Sequence, residues 1–403
     1  MSEAVVTDKR VSSKLKRIKR VAAIMRKQQA VETRLTMRPE SGSIETENPM
    51  ERTFKLSQRK IETEVDLGTK RKLFDFALPG GPFSLSSSRN GRYALMSGSG
   101  GQISVLDRHS MESLCDFTTG ECVTTSTFLH DHTLLAAAQR KYVYIYSSRN
   151  GEEVHCLRDQ TAVTHLDYLP YHYLLVSAGE TGMLRFLDTT TGNPVSKLAS
   201  KSGAAQAMRC NRTTGVTVMG HTSGAISLWT PTLQDSAMKM LCHYGGVTAV
   251  DTRGEWGVVT AGQDHKWKIW DLRKPDLEIS KFSWIGRAPT TLDVSVTGKV
   301  AVGGGPRVQV YGEGVWQAGK GSSAYLTHSL EGERIQTLRF CPFEDLLLMG
   351  STRGVGSLLV PGSGSGEIDS FAGNPFSTLK QRREAEVRGV LEKIKPETIS
   401  FRL

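Results

Sequence analysis

The chain has 403 residues, of which 38% are hydrophobic and 40 are glycine, and it carries a formal net charge of +10. No apolar run approaches the roughly 18 residues that a membrane-spanning helix needs, and the N-terminus has no apolar secretory core, so membrane and secreted classes are set aside. The six cysteines are scattered, with no C-x-x-C pair, which argues for reduced, packed thiols inside a cell rather than a disulfide framework or a zinc site.

The charge lies at the ends. Residues 1–40 hold 11 Lys/Arg against 4 Asp/Glu, residues 374–403 hold 7 against 4, and the stretch between them is balanced at 33 each. A neutral body with two basic ends predicts that the ends seek an anionic partner, most simply nucleic acid. The competing reading is a solvated tail that aids solubility. A mitochondrial presequence is disfavoured by Glu3 and Asp8 ahead of the basic stretch.

The first predicted element is a helix over 12–38, with Ser12 or Ser13 as its cap. Leu15, Ile18, Ala22, Met25 and Gln29 fall on heptad-like spacing, and Lys14, Lys16, Arg17, Lys19, Arg20, Arg26 and Lys27 fill the remaining surface. Pro39 disfavours helical geometry at Arg38 and should end the helix. Like charges at i,i+4 weaken such a helix when it is free, so an anionic partner would help to order it. Residues 40–70 are polar and read as an extended linker, which makes 1–70 a basic N-terminal extension.

A short apolar strand then recurs seven times. The residues at the centre of each strand end are Leu106, Tyr146, Leu187, Trp229, Trp270, Tyr311 and Leu359, at intervals of 40, 41, 42, 41, 41 and 48. A period of roughly 40–45 residues with a Trp-Asp signature marks WD repeats, hence an all-β, seven-bladed propeller, placed over 71–361. The fifth repeat parses as strands at 246–251, 256–261, 266–271 and 277–282, bounded by turn residues. Strands such as 133–138 and 174–178 are apolar on both faces, as expected where blade sheets stack face to face. Trp270 should fill the gap between two blades, with its N–H partnered in a structural tetrad of His243, Thr260, Asp264 and Trp270. A catalytic or metal role for His243 and Asp264 is the weaker reading.

The seventh repeat has at most three strands, because Pro361 and the Gly/Ser run to Gly366 do not continue a sheet. Its exposed edge needs cover. The alternating segment 72–78 (KLFDFAL) is expected to supply the outer strand of blade seven and close the ring, and the long last interval is assigned to an insertion around 319–333. Residues 362–403 read as a Gly/Ser hinge and a basic helix over 378–394, with Asn374-Pro375 as its start signal and Pro396 as its stop.

The last quarter carries a more specific signal. The run RFCPFED over 339–345, VPGS over 360–363, NPF over 374–376 and KQRREAEVR over 380–388 resemble the nucleolar WD-repeat family of human WD-repeat protein forty-six and yeast U-three-associated protein seven, across roughly 60–403. The resemblance implies a nucleolar component of the small-subunit processome that assembles around pre-ribosomal RNA, the U3 small nucleolar ribonucleoprotein and other processome proteins. It implies a role in maturing the small-subunit ribosomal RNA, without enzyme activity. The chain departs from ordinary WD repeats in keeping Trp at the marker position only in repeats four and five, and Gly220-His221 falls in a hairpin rather than the usual loop.

No catalytic constellation is legible. Gly303-Gly304-Gly305-Pro306 lacks the Lys-Ser/Thr of a phosphate loop and no helix follows, so it reads as a blade turn. His130 and His132 flank Asp131 without further ligands, which is weak as a metal site. No G-x-S-x-G or H-E-x-x-H occurs. The expectation is a scaffold with no cofactor, no metal, no small-molecule substrate and no membrane. RNA phosphates are its expected ligands, through Lys14, Lys16, Arg17, Lys19 and Arg20 first and Arg382, Arg383 and Arg388 second. Glu384 and Glu386 dilute the second set, which leaves protein contact equally open there. A rival from another class is a substrate receptor of a cullin-type ubiquitin ligase, since Trp270-Asp271-Leu272-Arg273 matches the W-D-x-R pattern. An adaptor of that kind has no need of basic charge at both ends.

Overall fold

The computed structural model describes residues 9–36, 42–45, 52–317, 323–365 and 379–401. Among the described residues, twenty-eight strands form seven four-stranded antiparallel sheets. The inner strands, in blade order, are Phe83–Ser87, Val123–Phe128, Val163–Leu169, Ala205–Cys210, Val247–Arg253, Thr291–Val294 and Ile335–Phe340. Each inner strand neighbours the next, and that of blade seven neighbours that of blade one, so the ring is closed. The seven repeat markers all sit at or beside the ends of third strands, from Gln102–Asp107 in blade one to Gly354–Leu359 in blade seven. The predicted seven-bladed propeller is the fold observed.

The apolar core lies between blades rather than within them. One cluster joins blades four and five through Val216, Val218 and Leu228 on one side and Val247, Val258 and Trp270 on the other. Another joins blades six, seven and one through Val308, Leu348 and Met96. Second strands are therefore buried on both faces along most of their length, and throughout in Leu174–Gly179 and Val300–Gly304. Their continuous apolar reading is a consequence of stacking on both sides.

Blade seven takes its outer strand from the N-terminal side. Asp75–Ala77 pairs antiparallel with Gly354–Leu359, Phe76 opposite Val355. The paired segment is three residues long, shorter than the 72–78 stretch, and Leu78 N–H continues the contact by donating to Arg353 C=O. Lys72 leaves the sheet to bond Glu344 at 2.5 Å.

Three local expectations are corrected. Helix α1 is described over Lys9–Thr36 and so starts ahead of residue 12, which places Ser12 and Ser13 inside it rather than at its cap. The expected stop at Arg38-Pro39 and the start signal at Asn374-Pro375 fall outside the described residues. The segment 40–70 is not an extended linker, since α2 (Gln58–Glu64) and α3 (Leu67–Lys70) form within it. Ile61 is buried against blade seven, and the Gln58 side chain donates to Leu359 C=O and accepts Leu359 N–H, both at 3.1 Å. Asp66 caps α3 by accepting Gly68 N–H. The insertion does not span 319–333, because Ala324–Ser329 is the outer strand of blade six and Glu313–Trp316, a 3-10 turn, precedes it.

The C-terminal helix α4 covers Leu379–Leu391 and stops before Pro396, which opens a 3-10 turn of its own. Residues 393–401 then return to the propeller. Lys393 Nζ meets Asp188 at 2.5 Å, and Ile394 N–H donates to Tyr171 C=O at 3.0 Å, both on blade three. Ile399 is 2% exposed in the core between blades three and four, and Phe401 packs near Trp256 of blade five. The Gly/Ser run is likewise engaged up to Ser365, whose N–H donates to Pro342 C=O.

Candidate functional site

The tetrad of blade five is assembled. Trp270 Nε1–H can only donate, and it donates to Thr260 Oγ1 at 3.0 Å. The Thr260 hydroxyl is then free to donate to His243 Nε2 at 2.9 Å, which leaves Nδ1–H to donate to Asp264 Oδ1 at 2.9 Å. The chain of donors fixes one neutral tautomer. Burial depresses the His243 pKa, with the Asp264 carboxylate opposing the shift. Blade four carries a related chain in which Trp229 Nε1–H donates to Ser227 Oγ at 2.8 Å, and Ser227 meets His221 Nε2 at 2.6 Å. Gly220-His221 ends the strand Thr217–His221, which turns back into Ala225–Trp229, so the pair lies in a hairpin as expected.

The inner strands enclose a central channel of about 610 Å³. One position per inner strand forms a ring, Ser86, Thr127, Asp167, Arg209, Asp251, Asp293 and Arg339, and all of these but Asp251 line the channel. The three aspartates staple neighbouring blades. Asp167 accepts Cys210 N–H at 2.8 Å, Asp251 accepts Val294 N–H at 2.6 Å, and Asp293 accepts Phe340 N–H at 2.5 Å. Two of them also face arginines. Arg209 meets Asp251 at 2.9 Å and Asp293 at 3.4 Å, and Arg339 meets Asp293 at 3.0 Å. Burial and the neighbouring Asp251 charge push the Asp293 carboxyl up to about 6, against the two arginines.

Sequence reasoning missed this ring, although its signal was present. Asp167, Arg209, Asp251 and Asp293 recur at the same place in successive repeats, and Arg339 follows in the seventh. The charges are satisfied by one another and by backbone N–H groups, which suits a structural ring. Among the described residues no group of three or more His, Cys, Asp and Glu could hold a metal ion. His130 and His132 stack instead on Tyr173 and Tyr93, with ring centroids 4.1 Å apart in each pair. The 303–306 glycines form the end of a strand and its turn. Asp271 and Arg273 of the W-D-x-R motif pair with each other at 2.9 Å.

The basic candidates lie elsewhere. Lys14, Lys16, Arg17, Lys19 and Arg20 are all on α1 and all exposed. Arg383 and Arg388 are exposed on α4, and Arg382 lies in the same helix with a side chain outside the described set. Lys380 and Glu384 form a loose i,i+4 pair at 3.7 Å, so α4 carries charges of both signs while every charged residue of α1 from Lys9 to Lys27 is basic.

Residues 235–271 match the WD domain, G-beta repeat, and residues 324–402 match the BING4CT (NUC141) domain, which takes in the last outer strand of blade six, blade seven and the tail. Over 380 residues the chain is 36% identical to U3 small nucleolar RNA-associated protein 7 of Saccharomyces cerevisiae, covering 90% of this chain and 68% of that protein. It belongs to that protein's family. WD repeat-containing protein 46 of Homo sapiens is 38% identical over 374 residues, covering 92% of this chain, and the mouse protein of the same name is 38% identical over 353. The chain spans 60% of the human relative's length and 56% of the mouse relative's. The family's C-terminal domain thus takes in the three strands of blade seven that receive the closing strand Asp75–Ala77, and the segment that straps back across blades three to five.

Proposed function

We propose that this chain is a non-enzymatic assembly factor of the small-subunit processome, acting in the nucleolus in small-subunit ribosomal RNA processing and small ribosomal subunit biogenesis. The propeller is the scaffold, and the basic ends engage pre-ribosomal RNA and the U3 ribonucleoprotein. The observation that carries the reading is the exposed set Lys14, Lys16, Arg17, Lys19 and Arg20 on one helix, attached to a charge-balanced body. The name of the yeast relative, which speaks of association with U3 small nucleolar RNA, supports it. Phosphate contacts position a protein without reading sequence, so α1 supplies affinity and the rest of the particle supplies the address. The absence of catalysis is supported by the mutual neutralisation of the channel's acids and arginines.

The test is reversal of the five α1 residues to Glu in the full chain, followed by sedimentation of lysate with nucleases inhibited. The wild-type chain should travel with pre-ribosomal particles, and the variant should be folded yet depleted from them. A wild-type chain found only as a small species removes the assembly reading. Undiminished incorporation of the variant removes α1 from the mechanism.

A further inference from the structure

Phosphate contact gives no use to the apolar side of α1. Val11, Leu15, Ile18, Ala22 and Met25 follow one another at spacings of four, three, four and three, the pattern of a coiled-coil seam. All five are exposed, Ile18 at 56% and Met25 at 62%. A run of apolar side chains along one stripe of a solvated helix is a surface made for burial rather than the single scattered residues common on protein surfaces.

The flanks of the stripe say what can cover it. With Leu15 and Ala22 at heptad position a, and Val11, Ile18 and Met25 at d, the flanking e and g positions are Ser12, Lys14, Lys19, Val21 and Arg26. No acidic residue occurs between Lys9 and Lys27. A second copy of α1 would set lysine and arginine against lysine and arginine across the seam, which disfavours self-pairing. Helix α4 is a poor match as well. Its apolar residues Leu379, Val387, Val390 and Leu391 do not follow the heptad, and Glu384 and Glu386 are outnumbered by its own basic residues.

We propose that α1 docks along Val11, Leu15, Ile18, Ala22 and Met25 against an acidic amphipathic helix of another protein, whose carboxylates face Lys14 and Arg26. Lys16, Arg17, Arg20 and Lys27 occupy the b, c and f positions on the far side of the same helix, where RNA phosphates remain within reach. The acidic partner also relieves the i,i+4 repulsion that weakens α1 on its own. The proposal goes beyond the RNA reading and does not need it.

Photocrosslinking with the full chain in cells separates the two. A benzophenone side chain placed at Ile18 should join a protein segment with apolar a and d positions and Glu or Asp at e and g. The same group placed at Arg20 should not join that segment. An Ile18 adduct to RNA, to this chain itself or to a segment without that acidic heptad pattern overturns the proposal, as does no adduct at all. Nucleotide adducts at Arg20 report on the RNA reading alone, and their absence leaves the docking result standing.

A second arm uses a synthetic heptad peptide with Leu at a and d and Glu at e and g. Leu15→Ala with Ile18→Ala in the full chain should weaken binding by at least about tenfold, because the seam loses two buried side chains. Alanine favours the helix, so this loss is not helix melting. Lys16→Glu with Arg17→Glu should change binding by less than about threefold, since outward charges contribute little to a packed pair. Equal losses in the two variants would mean attraction by charge alone and would refute the seam.

Discussion

Thr260 is the pivot of the blade-five tetrad because its hydroxyl accepts from Trp270 and donates to His243 at once. Thr260→Val keeps the shape and leaves the Trp270 N–H and the His243 acceptor buried without partners. Its expected cost is about 1–3 kcal/mol for each group left unsatisfied, read as a lower urea midpoint at unchanged m-value. The same geometry sets a pH dependence. His243 must stay neutral to accept from Thr260, and burial lowers its pKa below the ordinary 6.5. Between that depressed value and 6.5 the unfolded chain holds more protons than the folded one, so stability is full above the window and falls as pH drops into it. Burial of His221 in blade four adds in the same direction. Asp293 opposes them. Its folded pKa near 6 lies above the ordinary 3.8, so its protonation favours the folded state as pH falls through 6, and that gain is lost as pH rises back through it. Asp293→Asn should therefore steepen the acid-side loss of stability measured by unfolding at a series of pH values, and an unchanged slope would contradict the assignment.

At the level of elements, ring closure depends on a short and crowded contact. A Cβ built on Gly354 would lie 1.9 Å from Phe76 C=O, so Gly354→Ala pushes the closing strand off its neighbour. We expect destabilisation by about 1–3 kcal/mol and new protease cleavage near Asp75–Ala77, whose edge is then unpaired. Resistance to protease equal to wild type would show that closure does not rest on this strand. Period and turn chemistry made the third strands readable, because each ends at a bulky residue that fills an inter-blade gap. The tetrad was readable because a buried Trp N–H needs a partner and the spacing offered Thr260 and His243. The strap was not. Ile399 and Phe401 carry no local pattern, and Ile399 packs on Gly215, where a Cβ would come 3.0 Å from it. Helices α2 and α3 were missed for the same reason, since Ile61 is fixed only by its packing on blade seven. The channel ring escaped because its charges were weighed singly, although Asp167, Arg209, Asp251 and Asp293 stand in register from blade to blade.

For the molecule as a whole, the proposed function puts stability and partner affinity in different parts. The blades with their strap, residues 41–365 and 393–403, form one compact unit, and 1–40 with 366–392 form another. The excess charge is concentrated on residues 1–40, which carry +7, while residues 366–392 carry −1 and residues 393–403 carry +2. Folding free energy comes from inter-blade burial, while on the proposed function RNA affinity would come from counterions released by α1 and would be sensitive to salt. Replacing Lys16, Arg17 and Arg20 with Gln should leave the thermal midpoint within about 2 °C, as expected for solvated positions away from any cap or core. The same change should lower the magnitude of the log–log salt slope for binding to single-stranded RNA by about 0.7 for each phosphate no longer neutralised, hence about 2 if all three residues each neutralise one. Filter binding across a range of salt concentrations measures it. A slope that does not move would place the RNA-binding surface on the blades rather than on α1, and a large drop in thermal midpoint would show that α1 stabilises the propeller after all.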